Sequence, residues 1–128
     1  IKGSGIGTSA TRAEIIKKLI TNQYIALNKK TQIVTPTLTG EMIVNVVNAS
    51  ISSLLNPTLT ASWEKGLTYV AEGTVSENEY MQKLDQFVAQ KTNNVKQTNF
   101  QYELRRSFDQ IAPFYQKSGR KKNGKEKK

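Results

Sequence analysis

The residues best suited to chemistry lie in the run from Gly5 to Arg12, which reads Gly-Ile-Gly-Thr-Ser-Ala-Thr-Arg. This run leads into the first turn of a predicted amphipathic helix. A helix N-terminus presents N–H groups without helical partners and a partial positive charge, so it attracts phosphate oxygens. The run therefore predicts an anion site whose turn is shaped by Gly5 and Gly7. Its candidate donors are Thr8, Thr11 and Arg12.

Each of these residues also has a purely structural interpretation. A tight turn would require the glycines in either case. Thr11 could serve only as an N-cap, which stabilises a helix by ~1 kcal/mol, and the stem of Arg12 could simply cover the edge of the core. The start of the helix stays open as well, because Thr11 with Glu14 forms a capping-box pattern and Thr8 could cap one turn earlier.

Hydrophobic periodicity predicts the elements that must position this site. The first helix is expected over residues 9–22, where isoleucine and leucine recur at helical spacing. Two strand-like runs, 24–27 and 32–35, flank a polar loop and predict a β-hairpin. Helix followed by hairpin is the second half of a winged helix, and the first half would precede Ile1, as expected of a truncated sequence.

Further helices are predicted after the hairpin. Their expected ranges are 37–55, 60–72, 76–88 and 99–112, with a polar linker over 91–98 and Pro113 ending the last helix. Trp63 could stack on a base, but its apolar neighbours in sequence favour a core anchor. The predicted fold class is mainly α, a helical domain with a small winged-helix-like β-hairpin.

Composition restricts the chemistry that the chain can perform. The sequence contains no cysteine and no histidine, which excludes disulfides and thiolate zinc sites and removes the commonest general base. No hydrophobic run approaches the ~20 residues of a membrane-spanning helix. We therefore expect a cytoplasmic protein that does not contact a membrane.

The net charge of +9 is unevenly distributed. Residues 117–128 hold seven basic residues and one acidic residue, a net +6, whereas residues 1–116 hold 12 and nine, a net +3. A short basic tail on a nearly balanced body is typical of a disordered arm that raises affinity for polyanions. The alternative is a solvated tail without a partner.

The segment 5–16 resembles the type IA DNA topoisomerases, and most of all their topoisomerase III-like members. The motif of that family reads Gly-(Ile/Leu)-Gly-Thr-Pro-Ala-Thr-Arg-Ala-Glu-Ile-Ile, and Ser9 replaces its proline. The resemblance continues through 23–25, 36–40 and 59–64 and covers roughly residues 3–90, like a C-terminal slice of the enzyme core. Proline at the first helical position pre-sets φ, so Ser9 would either loosen the motif or move the cap onto its own hydroxyl. We expect slightly weaker preorganisation and unchanged function.

The resemblance implies a role in binding single-stranded DNA. In the family, the matching segment lies beside the active-site cleft and contacts the backbone of the strand that leads to the scissile phosphate. The implied DNA-binding residues are Gly5, Gly7, Thr8, Thr11 and Arg12, with Lys29 and Lys30 on the wing touching the backbone further along. Such contacts position a strand without reading its bases. The two lysines could equally be solvated loop charges.

The resemblance also implies what this chain lacks. The family cleaves DNA with a tyrosine in a Tyr-x-Arg-(Ser/Thr)-(Asp/Glu) setting and holds Mg²⁺ on an Asp-x-Asp cluster. None of the five tyrosines has that context, and the two aspartates, Asp85 and Asp109, fall on different predicted helices. We therefore predict no catalytic residue, no metal ligand and no cofactor in this fragment, while the parent isomerase would use Mg²⁺.

Three parts follow from these patterns: a DNA-binding helical, winged-helix-like segment over 1–90, a linker with a C-terminal helix over 91–116, and the basic tail over 117–128. The expected partners are single-stranded DNA and the remaining domains of the parent topoisomerase. One alternative is a free-standing winged-helix regulator that reads duplex DNA. Another is a structural interaction module, and a dimer through exposed isoleucines of the first helix is a further possibility.

Overall fold

The computed structural model describes residues 6–116, in which five α-helices accompany one two-stranded hairpin. Their bounds are α1 (Ser9–Thr21), β1 (Ile25–Leu27), β2 (Val34–Pro36), α2 (Leu38–Ile51), a 3₁₀ turn (Ser52–Leu55), α3 (Pro57–Ala71), α4 (Glu77–Gln97) and α5 (Gln101–Gln116). The predicted fold class, mainly α with one small hairpin, is confirmed. Gly5 and the predicted basic tail over 117–128 lie outside the described residues.

The hairpin forms where the two strand-like runs predicted it, and its second strand starts two residues later than expected. The strands are antiparallel, in the register Ile25↔Pro36, Ala26↔Thr35 and Leu27↔Val34. The turn is longer than predicted because Asn28 Oδ1 accepts the backbone N–H groups of Lys30 at 3.0 Å and Thr31 at 3.2 Å. Gln32 then adopts a left-handed φ of 57°, which ends the turn and lets β2 begin at Val34.

Thr37 joins the hairpin to α2. As the N-cap of α2, its hydroxyl accepts the N–H of Gly40 at 3.0 Å. The same hydroxyl lies within donating distance of the backbone carbonyls of Gln23 (2.5 Å) and Tyr24 (3.1 Å). Gly40 is buried, and a Cβ added there would lie 1.9 Å from the carbonyl oxygen of Tyr24. The first turn of α2 therefore packs backbone against backbone on the residue that precedes β1.

The second half of the α2 region departs from a single helix. The predicted helix over 37–55 ends at Ile51 and continues as the 3₁₀ turn. Asn56 then caps α3 by accepting the N–H of Thr58 at 2.9 Å, and Pro57 occupies the first helical position. Because proline has no N–H to lose at that position, α3 begins three residues before the predicted Thr60.

Trp63 anchors the contact between α3 and α4, as predicted. Its ring meets the rings of Tyr80 and Phe87 edge to face, with both centroid separations 5.6 Å. The hydroxyl of Tyr80 donates to the backbone carbonyl of Trp63 at 3.2 Å. Gly66 makes room for this arrangement, since a Cβ there would lie 2.8 Å from the Tyr80 ring.

The prediction of a non-helical linker over 91–98 is wrong, because α4 continues to Gln97. Lys91 and Val95 are half-buried and extend the stripe of Phe87 at helical spacing. The ammonium of Lys91 lies 5.6 Å from the centroid of the Phe87 ring. No glycine or proline interrupts this stretch, so the polar composition alone did not end the helix.

The prediction that Pro113 ends the last helix is also wrong, since α5 passes through it to Gln116. An internal proline removes one backbone hydrogen bond and normally costs a helix ~3 kcal/mol. Tertiary contact holds the final turn, because the hydroxyl of Tyr115 donates to Glu41 Oε2 on α2 at 2.5 Å. The pKa of Tyr115 is raised by this bond, by desolvation and by the negative charge of Glu41.

Apolar burial is sparse over residues 6–116. Ala112 of α5, 7% exposed, is the buried hydrophobic residue in this part of the chain. One stretch, Leu38–Leu55, is long and apolar enough to cross a membrane by length and composition, which corrects the expectation that none would be. It is broken by the 3₁₀ turn, and Asn45 Nδ2 donates to Ser107 Oγ at 3.2 Å, so α2 packs on α5 through polar contacts.

We predict that Gly40→Ala destabilises the fold by about 1–3 kcal/mol or more, because its methyl group would displace the backbone of Tyr24. Chemical denaturation followed by circular dichroism measures the loss. Thr39→Ala is the matched control, since Thr39 is an exposed residue of the same helical turn. Equal stabilities of the two variants would contradict the close backbone packing.

We predict that Tyr115→Phe removes a pH-dependent part of the stability. The pKa of Tyr115 is higher in the folded chain, so its bond to Glu41 stabilises fully below the ordinary tyrosine pKa of ~10 and is lost as pH rises through the folded value. The free energy of unfolding of the wild type should fall toward that of Tyr115→Phe in strong alkali. A constant difference between the two proteins across that range would refute the assignment.

Candidate nucleic-acid interface

The turn before α1 depends on Gly7. Its φ of +64° is in the left-handed region, and a Cβ there would lie 3.0 Å from Thr11 Oγ1. Both facts select glycine at this position. Thr8 follows in extended conformation, with φ −100° and ψ 170°, and α1 begins at Ser9. Of the two starts that the sequence left open, the structure has the earlier one.

Thr8 and Thr11 cap the helix reciprocally. The N–H of Thr11 donates to Thr8 Oγ1 at 3.3 Å, and the N–H of Thr8 donates to Thr11 Oγ1 at 2.7 Å. This geometry is that of a capping box in which a threonine replaces the usual glutamate or glutamine. The sequence left open whether Thr8 or Thr11 caps the helix. The structure shows that Thr8 is the N-cap, so the capping box of Thr11 with Glu14 is wrong.

The hydroxyl hydrogens of the two threonines are not equivalent. Thr11 Oγ1 lies 3.1 Å from the carbonyl oxygen of Thr8 and can donate its hydrogen there. The two hydroxyl oxygens are also 3.1 Å apart, and either can be the donor. When Thr11 donates to the carbonyl, the hydroxyl hydrogen of Thr8 can be given to a ligand. Thr8 is therefore the better hydroxyl donor for an anion, and Thr11 mainly holds the cap.

Arg12 closes the turn onto the helix. Its Nε donates to the backbone carbonyl of Ile6 at 2.9 Å, and the side chain is half-buried. In the bonds described for residues 6–116, Nε is the only engaged atom of the guanidinium. Its two terminal amino groups can thus form the fork that pairs with a phosphate. Arg12 both fixes the turn and supplies a positioned cation.

Lys29 and Lys30 lie at the hairpin turn, away from this cluster. Both are exposed, and the N–H of Lys30 donates to Asn28. The hairpin follows the far end of α1, which spans roughly 20 Å over its 13 residues at 1.5 Å per residue. The structure therefore brings Gly7, Thr8, Thr11 and Arg12 together. The two lysines form a separate basic pair at the hairpin turn.

Two backbone groups of this candidate site could not be recognised from the sequence pattern: the carbonyl of Ile6 and the N–H of Ser9. The carbonyl of Ile6 receives the Arg12 side chain, and no side-chain pattern announces a backbone acceptor of this kind. Ser9 occupies the first helical position, where its backbone N–H has no helical acceptor. The departure from the proline motif could have indicated this, since proline would carry no N–H there.

The known proteins to which this chain is similar are DNA topoisomerases. Residues 1–82 match the family described as DNA topoisomerase. The chain is 30% identical to DNA topoisomerase 3 of Bacillus licheniformis and 33% identical to that of Staphylococcus epidermidis, each over 99 residues and 77% of this chain. It is 32% identical to DNA topoisomerase 3 of Bacillus subtilis over 95 residues, 74% of this chain. No solved structure matches the chain.

This chain belongs to the bacterial type IA DNA topoisomerase family. It spans 13% of the length of the Bacillus licheniformis and Staphylococcus epidermidis relatives and 12% of the Bacillus subtilis relative. Type IA enzymes in general use Mg²⁺. Over residues 6–116 no group of three or more histidine, cysteine, aspartate or glutamate side chains could hold a metal ion, so these residues do not fit that ion.

We predict that Thr8→Ala lowers the free energy of unfolding by ~1 kcal/mol, because the N–H of Thr11 loses its cap. Thr8→Ser keeps the hydroxyl and should stay close to the wild type. Thermal or chemical denaturation followed by circular dichroism compares the three proteins. A Thr8→Ser loss as large as that of Thr8→Ala would contradict the capping role.

Proposed function

We propose that this chain binds single-stranded DNA through its phosphates, with one phosphate at the N-terminus of α1. The observation that carries the proposal is the capped turn, in which Arg12 is fixed by the Ile6 carbonyl while its fork end can still bind an anion. The turn lies inside the segment 1–82 that matches the topoisomerase family. A positioned cation at a helix N-terminus is a strong phosphate site.

The donors of this proposed site come from one helical turn. Arg12 supplies the charged fork, Thr8 a hydroxyl, and Ser9 and Ala10 the first backbone N–H groups of α1. Thr11 acts by holding the cap, and Gly7, with Gly5 before it, by shaping the turn. None of these groups distinguishes one base from another, so the site positions a strand without strong sequence preference.

Charge around the site supports the same proposal. Over residues 6–36, which contain α1 and the hairpin, five basic residues stand against one glutamate. Lys29 and Lys30 lie at the hairpin end of this region and would touch the backbone further along the strand. Such a basic region attracts a phosphate chain and makes binding depend strongly on salt.

The proposal extends to the parent protein in the terms of its family. The parent would pass strands without ATP through a transient tyrosine–DNA link, in the cytoplasm, with its nucleophile and Mg²⁺ site on other parts of the polypeptide. Residues 1–90 would form the DNA-binding segment, 91–116 the C-terminal helical part and 117–128 a basic tail that adds affinity. The partners would be single-stranded DNA and the rest of the topoisomerase.

We predict that Arg12→Ala weakens binding to a short single strand by about 10-fold or more, because a charge-assisted hydrogen bond is worth ~1.5–3 kcal/mol. Fluorescence anisotropy with a labelled oligonucleotide measures the change, in the full chain and in a chain ending at Gln116. Lys17→Ala is the matched control: it removes one positive charge from an exposed position of the same helix.

The Lys17→Ala variant and the chain that ends at Gln116 distinguish the possible results. A smaller effect of Lys17→Ala than of Arg12→Ala, in both chain lengths, supports the phosphate site. Binding that disappears with residues 117–128 and ignores Arg12 would contradict it and leave only a basic arm. A preference for duplex, with a salt slope near ~0.9 per phosphate contacted and not ~0.7, would favour a duplex binder.

A further inference from the structure

The chain exposes more surface than a compact protein of its mass. Its accessible area is 11017 Å², whereas a compact monomer of 14.3 kDa exposes about 6,800 Å². Assigning the residues outside 6–116 the full area of an unfolded chain, ~160 Å² each, still leaves an excess of about 1,500 Å². A standard protein interface removes ~800 Å² from each partner. The excess is therefore large enough for a stable pair of chains.

One concave part of this surface lies between α1, the hairpin and α2 and is called here the α1–hairpin–α2 groove. Its apolar lining consists of Leu19, Tyr24, Ile25, Pro36, Ile43 and Val44. The last two, on α2, are 39% and 50% exposed. Glu41 is the charged residue of the lining, and its carboxylate accepts the hydroxyl of Tyr115. An apolar side chain that enters this groove therefore buries apolar area on both sides of the contact.

Side chains that suit such a groove project from the neighbouring turn of α1. Ile15 lies four residues before Leu19, so the two share one row on the helix surface. Leu19 is half-buried at the groove, whereas Ile15 and Ile16 are 48% and 51% exposed. The chain thus presents projecting branched side chains directly beside a groove that can receive them.

This juxtaposition is what a twofold interface requires. Two copies related by a twofold axis bury the same patch on each copy, so one patch must contain both the projecting and the receiving surface. The row that runs from Ile15 into the groove meets this condition, because Leu19 belongs to both parts. A second copy of the chain is therefore an occupant that fits the groove and covers the exposed isoleucines at once.

Net charge opposes such a pair, but the nearest lysines are not on the apolar row. Each copy carries a net charge of +9, and like charges repel. Lys17 projects from the side of α1 opposite the row of Ile15 and Leu19, because successive helical residues are turned by about 100°. Lys18 flanks the row and is exposed. The repulsion therefore acts through solvent, where salt screens it.

We propose that the exposed turn of α1 and the α1–hairpin–α2 groove together form a twofold interface for a second copy of this chain. The two α1 helices run antiparallel, and Ile15 and Ile16 of each copy enter the groove of the other. Apolar burial holds the pair against its net charge, so added salt tightens it. The inference is independent of the proposed phosphate site, because Thr8 caps the end of α1 that lies away from the groove.

Sedimentation velocity of the full chain, freed of nucleic acid, tests the proposal over a wide concentration range at low and high salt. The expected result is a monomer–dimer equilibrium that stops at the dimer and shifts toward it when salt is added. Ile15→Glu on the exposed turn and Val44→Glu in the groove should each raise the dissociation constant about 10-fold or more, because each buries an unpaired charge. Leu67→Glu is the matched control, 55% exposed on α3 and outside the groove.

Three results would overturn the proposal. The first is a monomer up to the highest concentration at which the chain stays soluble. The second is a dimer that resists Ile15→Glu, or that Leu67→Glu weakens equally, since either places the contact on another surface. The third is association that added salt dissolves, which is the behaviour of a charge-driven partner such as DNA. Circular dichroism checks the fold of each variant, and the exposed Ile15 keeps the test decisive if Val44→Glu does not fold.

Discussion

The contact between Gly40 and the carbonyl of Tyr24 is the constraint on which the arrangement of α1, the hairpin and α2 depends. With so little apolar burial over residues 6–116, these elements are not held by a large core. Instead, the hydroxyl of Thr37 reaches the carbonyls of Gln23 and Tyr24 while it caps α2. The absence of a side chain at Gly40 lets the two backbones approach closely enough for this. This junction ties the residues that follow α1 to the first turn of α2.

The proposed phosphate site is likewise organised by local hydrogen bonds. Gly7 takes a backbone conformation that other residues avoid, and the two threonines close a reciprocal cap directly after it. Arg12 is then held by a backbone carbonyl and not by an acidic partner, so its charge is positioned without being neutralised. A surface arginine usually loses side-chain entropy when it binds an anion, and this tether removes part of that cost in advance.

The sequence predicted the features that depend on local chemistry. Isoleucine spacing in α1, the polar loop of the hairpin and the apolar neighbours of Trp63 each specify one local structure, and all three were found. It could not decide between Thr8 and Thr11 as N-cap, because both satisfy the pattern. Nor could it foresee α5 passing through Pro113, since the compensating bond from Tyr115 reaches Glu41, which is 74 residues away in sequence. The bonds between Thr8 and Thr11 settled the first case, and a long-range contact settled the second.

The central claim is that a single strand places a phosphate at the N-terminus of α1. The most direct measurement is a two-dimensional ¹H–¹⁵N NMR titration of the chain with a short oligothymidylate. The account predicts that the backbone amides of Ser9 and Ala10 and the side-chain Nε–H of Arg12 shift most within the described residues. Shifts confined to residues 117–128, with the signals of α1 unmoved, would contradict it.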